Sequence, residues 1–298
     1  MKKSGFVALV GRPNSGKSTL LNRLLDMDIS IVSPKAQTTR ENLVGILNEP
    51  KGQICFVDTP GIHSAKEGSI NEFMIHQAGH ALESPNAVWY LLDPYSKLPV
   101  EKVVIDALAR VKSPIFIVPN KADLPQNAAN LVVEEVQNEL KTLGANVQGV
   151  FSISALKNVG IQTLLNETWR LMPHGELYFP DTEQVTDKPM RFFAAELVRE
   201  QLFLQLGDEV PYSCAVGIDR FDESLRMPRI EATIFVERDS QKGIVIGAKA
   251  AKIKAIGEKA RGSIEKMMGT QVFLGLQVKV LKDWSKEPEK LKQLGYVI

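Results

Sequence analysis

Gly11-Arg12-Pro13-Asn14-Ser15-Gly16-Lys17-Ser18 constrains this chain more than any other stretch. It fits G-x-x-x-x-G-K-[ST], a loop whose backbone N–H groups cradle a phosphate chain. An apolar run at 6–10 precedes it and reads as a buried parallel strand. Leucines at helical spacing follow it, over 19–25. Strand, glycine-rich loop and helix therefore come in the order that points a helix N-terminus at an anion. In that arrangement Lys17 reaches the β- and γ-phosphates, and the Ser18 hydroxyl is placed for Mg²⁺.

The rest of the first half repeats the unit. Strand patterns at 43–47, 54–58, 88–93, 114–118 and 149–153 alternate with helical ones at 70–82, 100–111, 131–143 and 161–172. Alternation of this kind predicts an α/β fold, a mostly parallel sheet with helices on both faces. Ligands in such sheets bind at the carboxyl ends of the strands. Asp58-Thr59-Pro60-Gly61 ends one strand, with the acid placed to hold Mg²⁺ through water and Gly61 offering an unobstructed N–H to a γ-phosphate. Asn120-Lys121-Ala122-Asp123 ends another. A carboxylate accepts from both N1–H and the exocyclic amine of guanine, whereas adenine lacks that donor pair. Asp123 thus reads guanine, Asn120 supports the loop and base edge, and Lys121 lays its stem over the base.

Over roughly 4–173 these motifs resemble the translation-factor-related GTPases. The resemblance implies GTP and GDP as ligands and adds Ser154-Ala155-Leu156 as a further loop at the guanine oxygen. It makes Thr39, with Thr38 as runner-up, the residue of the polar segment 30–40 that closes on Mg²⁺. The metal set is then Ser18, Thr39 and Asp58, and 62–67 is a second switch segment. It also puts Ile62 where Ras-like enzymes carry the glutamine that orients water, so intrinsic hydrolysis is expected to be slow. In relatives with Asn at position 14, that residue helps hold K⁺ against the phosphates. Lys17, Asn14, Thr39 and Gly61 are accordingly the expected catalytic groups. No side chain suits a general base.

The second half has a different grammar. Residues 174–190, with Gly175, Pro180 and Pro189, lack periodicity and read as a linker. The order from 191 onward is α-β-β-α-α-β, with a tight turn at Gly247-Ala248-Lys249-Ala250. From Arg238 to Lys282 ten basic residues face three acidic ones, a field that attracts polyanions. This half resembles a type II KH domain, whose G-x-x-G turn brings backbone close to RNA phosphates. Here the second glycine is Ala250, which fits if its φ is negative. Gly247, Ala248, Lys249, Ala250, Lys252, Ile253 and Lys254 are the expected RNA contacts. Ile244, Val245, Ile246, Ile253 and Ile256 are expected to form the adjoining apolar groove. Trp284 is read either as a further RNA contact or as packing.

Taken together, Tyr178-Phe179-Pro180, Gln184-Val185-Thr186-Asp187, Arg199-Glu200, Glu209-Val210-Pro211-Tyr212-Ser213, Ser240-Gln241-Lys242 and Leu294-Gly295-Tyr296 resemble the Era family across essentially the whole chain. That resemblance implies binding to the 3′ end of small-subunit ribosomal RNA, help in maturing the 30S subunit, loose association with the inner membrane, and a monomer. The expected domains are 1–173, 191–298 and the linker between them. Two other readings compete: a nucleotide-gated RNA-binding scaffold with negligible turnover, and a P-loop nucleoside kinase, against which the guanine-reading motif counts. No apolar run approaches the roughly 18 residues that span a bilayer, and Met1-Lys2-Lys3-Ser4-Gly5 lacks a signal-peptide pattern. Only Cys55 and Cys214 occur, one in each half, so no disulfide framework and a reducing cytoplasm are expected. His76 and His80 have a metal-ligand spacing without the glutamate a zincin needs, and read as a surface helix.

Overall fold

The computed structural model describes residues 1–33, 35, 38–62, 69–125, 129–207 and 209–296. The chain divides into two compact units, one ending at Asp187 and one beginning at Lys188; among the described residues, 69–73 also sort with the second.

The first unit is the expected α/β layer structure. Strands β1 (Lys3–Gly11), β2 (Leu43–Glu49), β3 (Gly52–Asp58), β4 (Ala87–Leu92), β5 (Ile115–Pro119) and β6 (Val147–Val150) form one sheet in the order β2-β3-β1-β4-β5-β6. Only β2 runs antiparallel to its neighbour. Helices α1 (Lys17–Leu25), α2 (Ser69–Ala81), α3 (Leu98–Leu108), α4 (Ala129–Thr142) and α5 (Ile161–Leu171) make the connections. β4 is buried along its whole length, as a strand covered on both faces must be. Tyr90, Val10 and Ile117 share one core cluster with Val104, Leu108 and Val136 from the helices. On β4, Trp89 is fully buried and its indole N–H donates to Thr168 Oγ1 at 3.0 Å, so the polar edge of a large ring is satisfied.

Two local readings shift. The strand expected at 149–153 pairs as β6 two residues earlier; Phe151 and Ile153 still donate to Ile117 O and Pro119 O beyond its end. Residues 174–187, which lack periodicity, follow β2 by hydrogen bonds instead of running free. Ile46 N–H donates to Val185 O (2.9 Å), Val44 N–H to Asp187 Oδ1 (3.1 Å), and Asn48 Nδ2 to Thr182 O (3.0 Å). Gln53, fully buried, donates to Phe179 O at 2.8 Å and accepts from Phe179 N–H at 3.0 Å. β2 would otherwise be a bare sheet edge, and this strap gives its backbone partners.

The second unit opens with α6 (Met190–Gln205). β7 (Ala215–Asp222), β8 (Arg229–Val236) and β9 (Phe273–Val280) form a sheet in that order, β7–β8 antiparallel and β8–β9 parallel. Between β8 and β9 come α7 (Asp239–Ile246) and α8 (Ala251–Met268), and α9 (Pro288–Gln293) follows β9. The strand expected from 212 starts at Ala215, because Val210–Ser213 is a 3₁₀ turn with Pro211 in its first turn. Val198, Leu202, Cys214, Ile234, Val245 and Ile256 are among its core. Among the described residues no helix is long and apolar enough to cross a membrane.

Candidate functional site

The glycine-rich loop joins β1 to α1, and a cavity of about 430 Å³ opens above it at the carboxyl ends of the strands. That size suits a small-molecule ligand. Pro13, Asn14, Gly16, Lys17, Ser18, Thr38, Thr39, Gly61 and Lys121 are among the residues that line it. Gly16 caps α1 at φ 99°, and a Cβ there would lie 2.1 Å from Asn120 Nδ2, so no other residue fits. Asn14 adopts φ 63° in the same loop.

Lys17 is buried, with Nζ donating to Gly11 O (3.2 Å) and Arg12 O (3.0 Å). Burial pulls its pKa down to about 8, against the opposing pull of Asp58 and Glu101. Ser18 Oγ donates to Asp58 Oδ2 at 2.8 Å and lies 3.2 Å from Thr39 Oγ1. Residues 18, 39 and 58, far apart in sequence, thus meet. Thr38 is also buried, yet Thr39 is the threonine bonded to Ser18. Ser30 Oγ donates to the same Asp58 oxygen at 2.8 Å, a partner that sequence reasoning missed. Asp58 is fully buried, and burial raises its pKa despite Lys17 and the two hydroxyls. Its other oxygen, Oδ1, is buried without a hydrogen-bond partner. An orphaned carboxylate oxygen beside two hydroxyls is a hard-oxygen donor set that fits Mg²⁺.

The remaining residues of this region divide by where their side chains go. Thr59 is fully buried and its hydroxyl donates to Leu9 O at 2.8 Å, tying β3 to β1; Pro60 is buried beside it. Arg12 Nη1 reaches Ile62 O at 3.5 Å. Ile62 donates its N–H to Gly11 O, and its side chain packs on the sheet core with Val10. Of the segment 62–67, residues 63–67 lie outside the described residues.

On the base side, Asn120 is 4% exposed, with Nδ2 donating to Ser15 O (2.8 Å) and Oδ1 accepting from Ala155 N–H (3.0 Å). It ties the phosphate loop to the 154–156 loop through these bonds. Asp123 is exposed, and Ser154 Oγ donates to it at 2.5 Å; that bond chiefly holds the carboxyl below the usual range. Ala155 is buried, while Leu156 is 62% exposed and its carbonyl accepts from Arg23 Nη2. Lys121 sits at φ 63° with Nζ 2.6 Å from Asp93 Oδ2. Asp93 was not among the expected residues, though its signal was present: a carboxylate directly after a buried parallel strand.

The second unit carries another feature. Gly247, at φ 71°, must be glycine, since a Cβ there would lie 2.6 Å from Lys252 Cβ. Lys249 (φ 49°) and Ala250 (φ 60°) are both left-handed. The condition for an easy fit at Ala250, a negative φ, is therefore not met; alanine occupies a conformation that glycine holds more easily. Beside this turn a groove of about 240 Å³ runs between α8 and β9, lined by Ile253, Lys254, Gly257, Glu258, Arg261, Leu274 and Leu276. Val245 and Ile256, expected in the groove, are fully buried core, and Ile244 is half exposed. Ala248, Lys249 and Lys254 are exposed, while Lys252 Nζ reaches Gln205 O at 3.4 Å. Trp284 is packing: it is fully buried, and its indole N–H donates to Ser213 O at 2.9 Å. His76 and His80 stack edge to face, His80 pairs with Glu83, and among the described residues no group of three or more His, Cys, Asp or Glu side chains is placed to hold a metal ion.

Comparison with known proteins agrees with both halves. A family model described as a 50S ribosome-binding GTPase matches residues 6–121, and a KH domain model matches 209–285. GTPase Era of Geobacter metallireducens is 45% identical over 297 residues, covering 99% of this chain and 98% of that protein. GTPase Era of Staphylococcus haemolyticus is 38% identical over 298 residues, covering 99% and 97%. The crystal structure of an Era in complex with MgGDPNP and nucleotides 1506–1542 of 16S ribosomal RNA superposes with a TM-score of 0.93 at 35% identity, covering all of both chains. An Aquifex aeolicus Era variant bound to GDP and AlF₄⁻ gives 0.92 at 35%, covering 99% of this chain and 100% of that one. With a phosphate loop, the Asn120-Lys121-Ala122-Asp123 loop and a KH unit in one chain, and such identity over full length, the protein belongs to the Era family of GTPases.

Proposed function

We propose that this chain binds GTP and GDP with Mg²⁺, hydrolyses GTP, and holds small-subunit ribosomal RNA near its 3′ end while the 30S subunit is assembled. The observation that carries the nucleotide half is the meeting of Ser18, Thr39 and Asp58 beside the buried Lys17. Mg²⁺ there would neutralise charge on the phosphate oxygens. Lys17 supplies a positive charge, and the N-terminus of α1 supplies backbone N–H groups to the same anion. Gly61 offers its N–H where the third phosphate would end, and Thr39 reports that phosphate by closing on the metal. Asp123, held by Ser154, reads the guanine edge, and the 154–156 loop meets its oxygen.

With Ile62 packed on the core, no side chain at that place orients the attacking water. Asn14 in its left-handed turn would hold K⁺ and so supply the missing charge. GTP turnover is then faster in K⁺ than in Na⁺ at matched ionic strength, and equal rates refute that role. The packing of Ile62 also favours a second reading, a nucleotide-gated scaffold with negligible turnover. Single-turnover hydrolysis with and without ribosomal RNA separates the two. Asp123→Asn tests the base assignment: preference should move from guanine to xanthine nucleotides.

The RNA half rests on the turn at 247–250, the groove beside it and the exposed Lys249 and Lys254. Crosslinking to RNA with GTP or GDP bound, followed by sequencing of the RNA, tests both the site and its dependence on nucleotide. The nucleotide domain is taken as 1–173 and the RNA-binding domain as 191–298. A cytoplasmic monomer, loosely associated with the inner face of the cell membrane, completes the reading; flotation with liposomes and sedimentation test those two points.

A further inference from the structure

Loop 93–97 clasps the base-reading loop 120–125 at two points. Asp93 Oδ2 lies 2.6 Å from Lys121 Nζ, and Tyr95 Oη donates to Pro125 O. Asp93 is itself set in place, its Oδ1 accepting from Tyr95 N–H at 3.0 Å and its carbonyl from Ser96 N–H at 2.9 Å. Lys121 lines the nucleotide cavity, in a left-handed backbone conformation. The side chains of the pair are 33% and 26% exposed, so as an ion pair it contributes little to folding. Its effect is on geometry: it fixes a long, flexible side chain before any ligand arrives.

We propose that Asp93 is a positioning residue for nucleotide binding, which stretches Lys121 across the base side of the cavity and so removes an ordering cost from binding. The proposal rests on the nucleotide reading above and goes beyond it by assigning affinity to a residue outside the four motifs. Asp93 acts on how tightly any guanine nucleotide is held, because it faces Lys121 and none of the groups that read the base edge. It therefore acts on GTP and GDP alike.

The test uses Asp93→Asn, because an asparagine keeps the acceptor for Tyr95 N–H while the side facing Lys121 loses both its charge and its acceptor. Fluorescent GDP is titrated in Mg²⁺ against the parent, Asp93→Asn, Lys121→Met and the double variant, with thermal unfolding to confirm that each is folded. Asp93→Asn is expected to bind about tenfold more weakly, and the double variant within about twofold of Lys121→Met, because the two residues act as one unit. The preference for GDP over inosine diphosphate stays at the parent's value. Parental affinity in Asp93→Asn, losses that multiply in the double variant, or a changed GDP preference would each overturn the proposal. A parent that fails to bind GDP would instead defeat the nucleotide reading beneath it.

Discussion

Lys17 shows how a single side chain ties stability to ligand. Burial lowers its pKa from 10.5 to about 8. Between these values the unfolded chain holds more protons than the folded one, so this residue makes the nucleotide-free fold more stable as pH rises through that window. A bound phosphate favours the charged form. Binding of GDP should therefore take up a proton above about pH 8, and affinity should fall by up to about tenfold per pH unit there. Calorimetry between pH 8 and 9 in buffers of different ionisation enthalpy checks this; no proton uptake would refute it. Ala250 makes the opposite case, a residue at odds with its backbone. At φ 60° an alanine is strained by roughly 1–2 kcal/mol, and glycine returns some of that through its freer unfolded state. Ala250→Gly should stabilise the chain by up to about 1 kcal/mol in urea unfolding. Neither pKa nor the sign of φ could be read from the sequence, because both depend on what surrounds the residue.

At the scale of elements, strands and helices were largely legible. The fully apolar β4 and the leucine spacing of α1 state their environment directly. Misplacements came where a local signal was overridden, as at Pro211, or where no periodicity existed, as in the strap at 174–187. The strap is legible only in its contacts, and Gln53 is the centre of them. Gln53→Ala would leave the Phe179 amide and carbonyl without partners, costing about 1–3 kcal/mol if they stay buried. Denaturant unfolding measures the loss, and faster amide exchange at Phe179 locates it. An unchanged exchange rate would mean the strap is held by its other bonds.

For the whole molecule, two units with separate cores carry two chemistries, a metal-assisted nucleotide site and a basic groove. Ligand binding stabilises only the state that binds. GDP with Mg²⁺ at about a thousandfold above its dissociation constant should add about 4 kcal/mol to the first unit. In scanning calorimetry its transition should move up, and chelating Mg²⁺ should reverse part of the shift. A shift that survives chelation would argue against Asp58 as a metal ligand.

The sequence alone determined a P-loop α/β domain with a guanine-type motif and, by family resemblance, a KH domain after it. The signals for the first domain are local: a period of 2 or 3.6, a glycine pattern, an acid at a strand end. Tertiary structure decided which threonine meets Ser18, that Ser30 and Asp93 join the site, and that Asn120 bridges two loops. It also sent Val245 and Ile256 into the core and laid the strap on β2. Each is a contact between residues distant in sequence or a matter of which way a side chain turns. Such contacts are set by how loops close and side chains pack, and no local pattern encodes that.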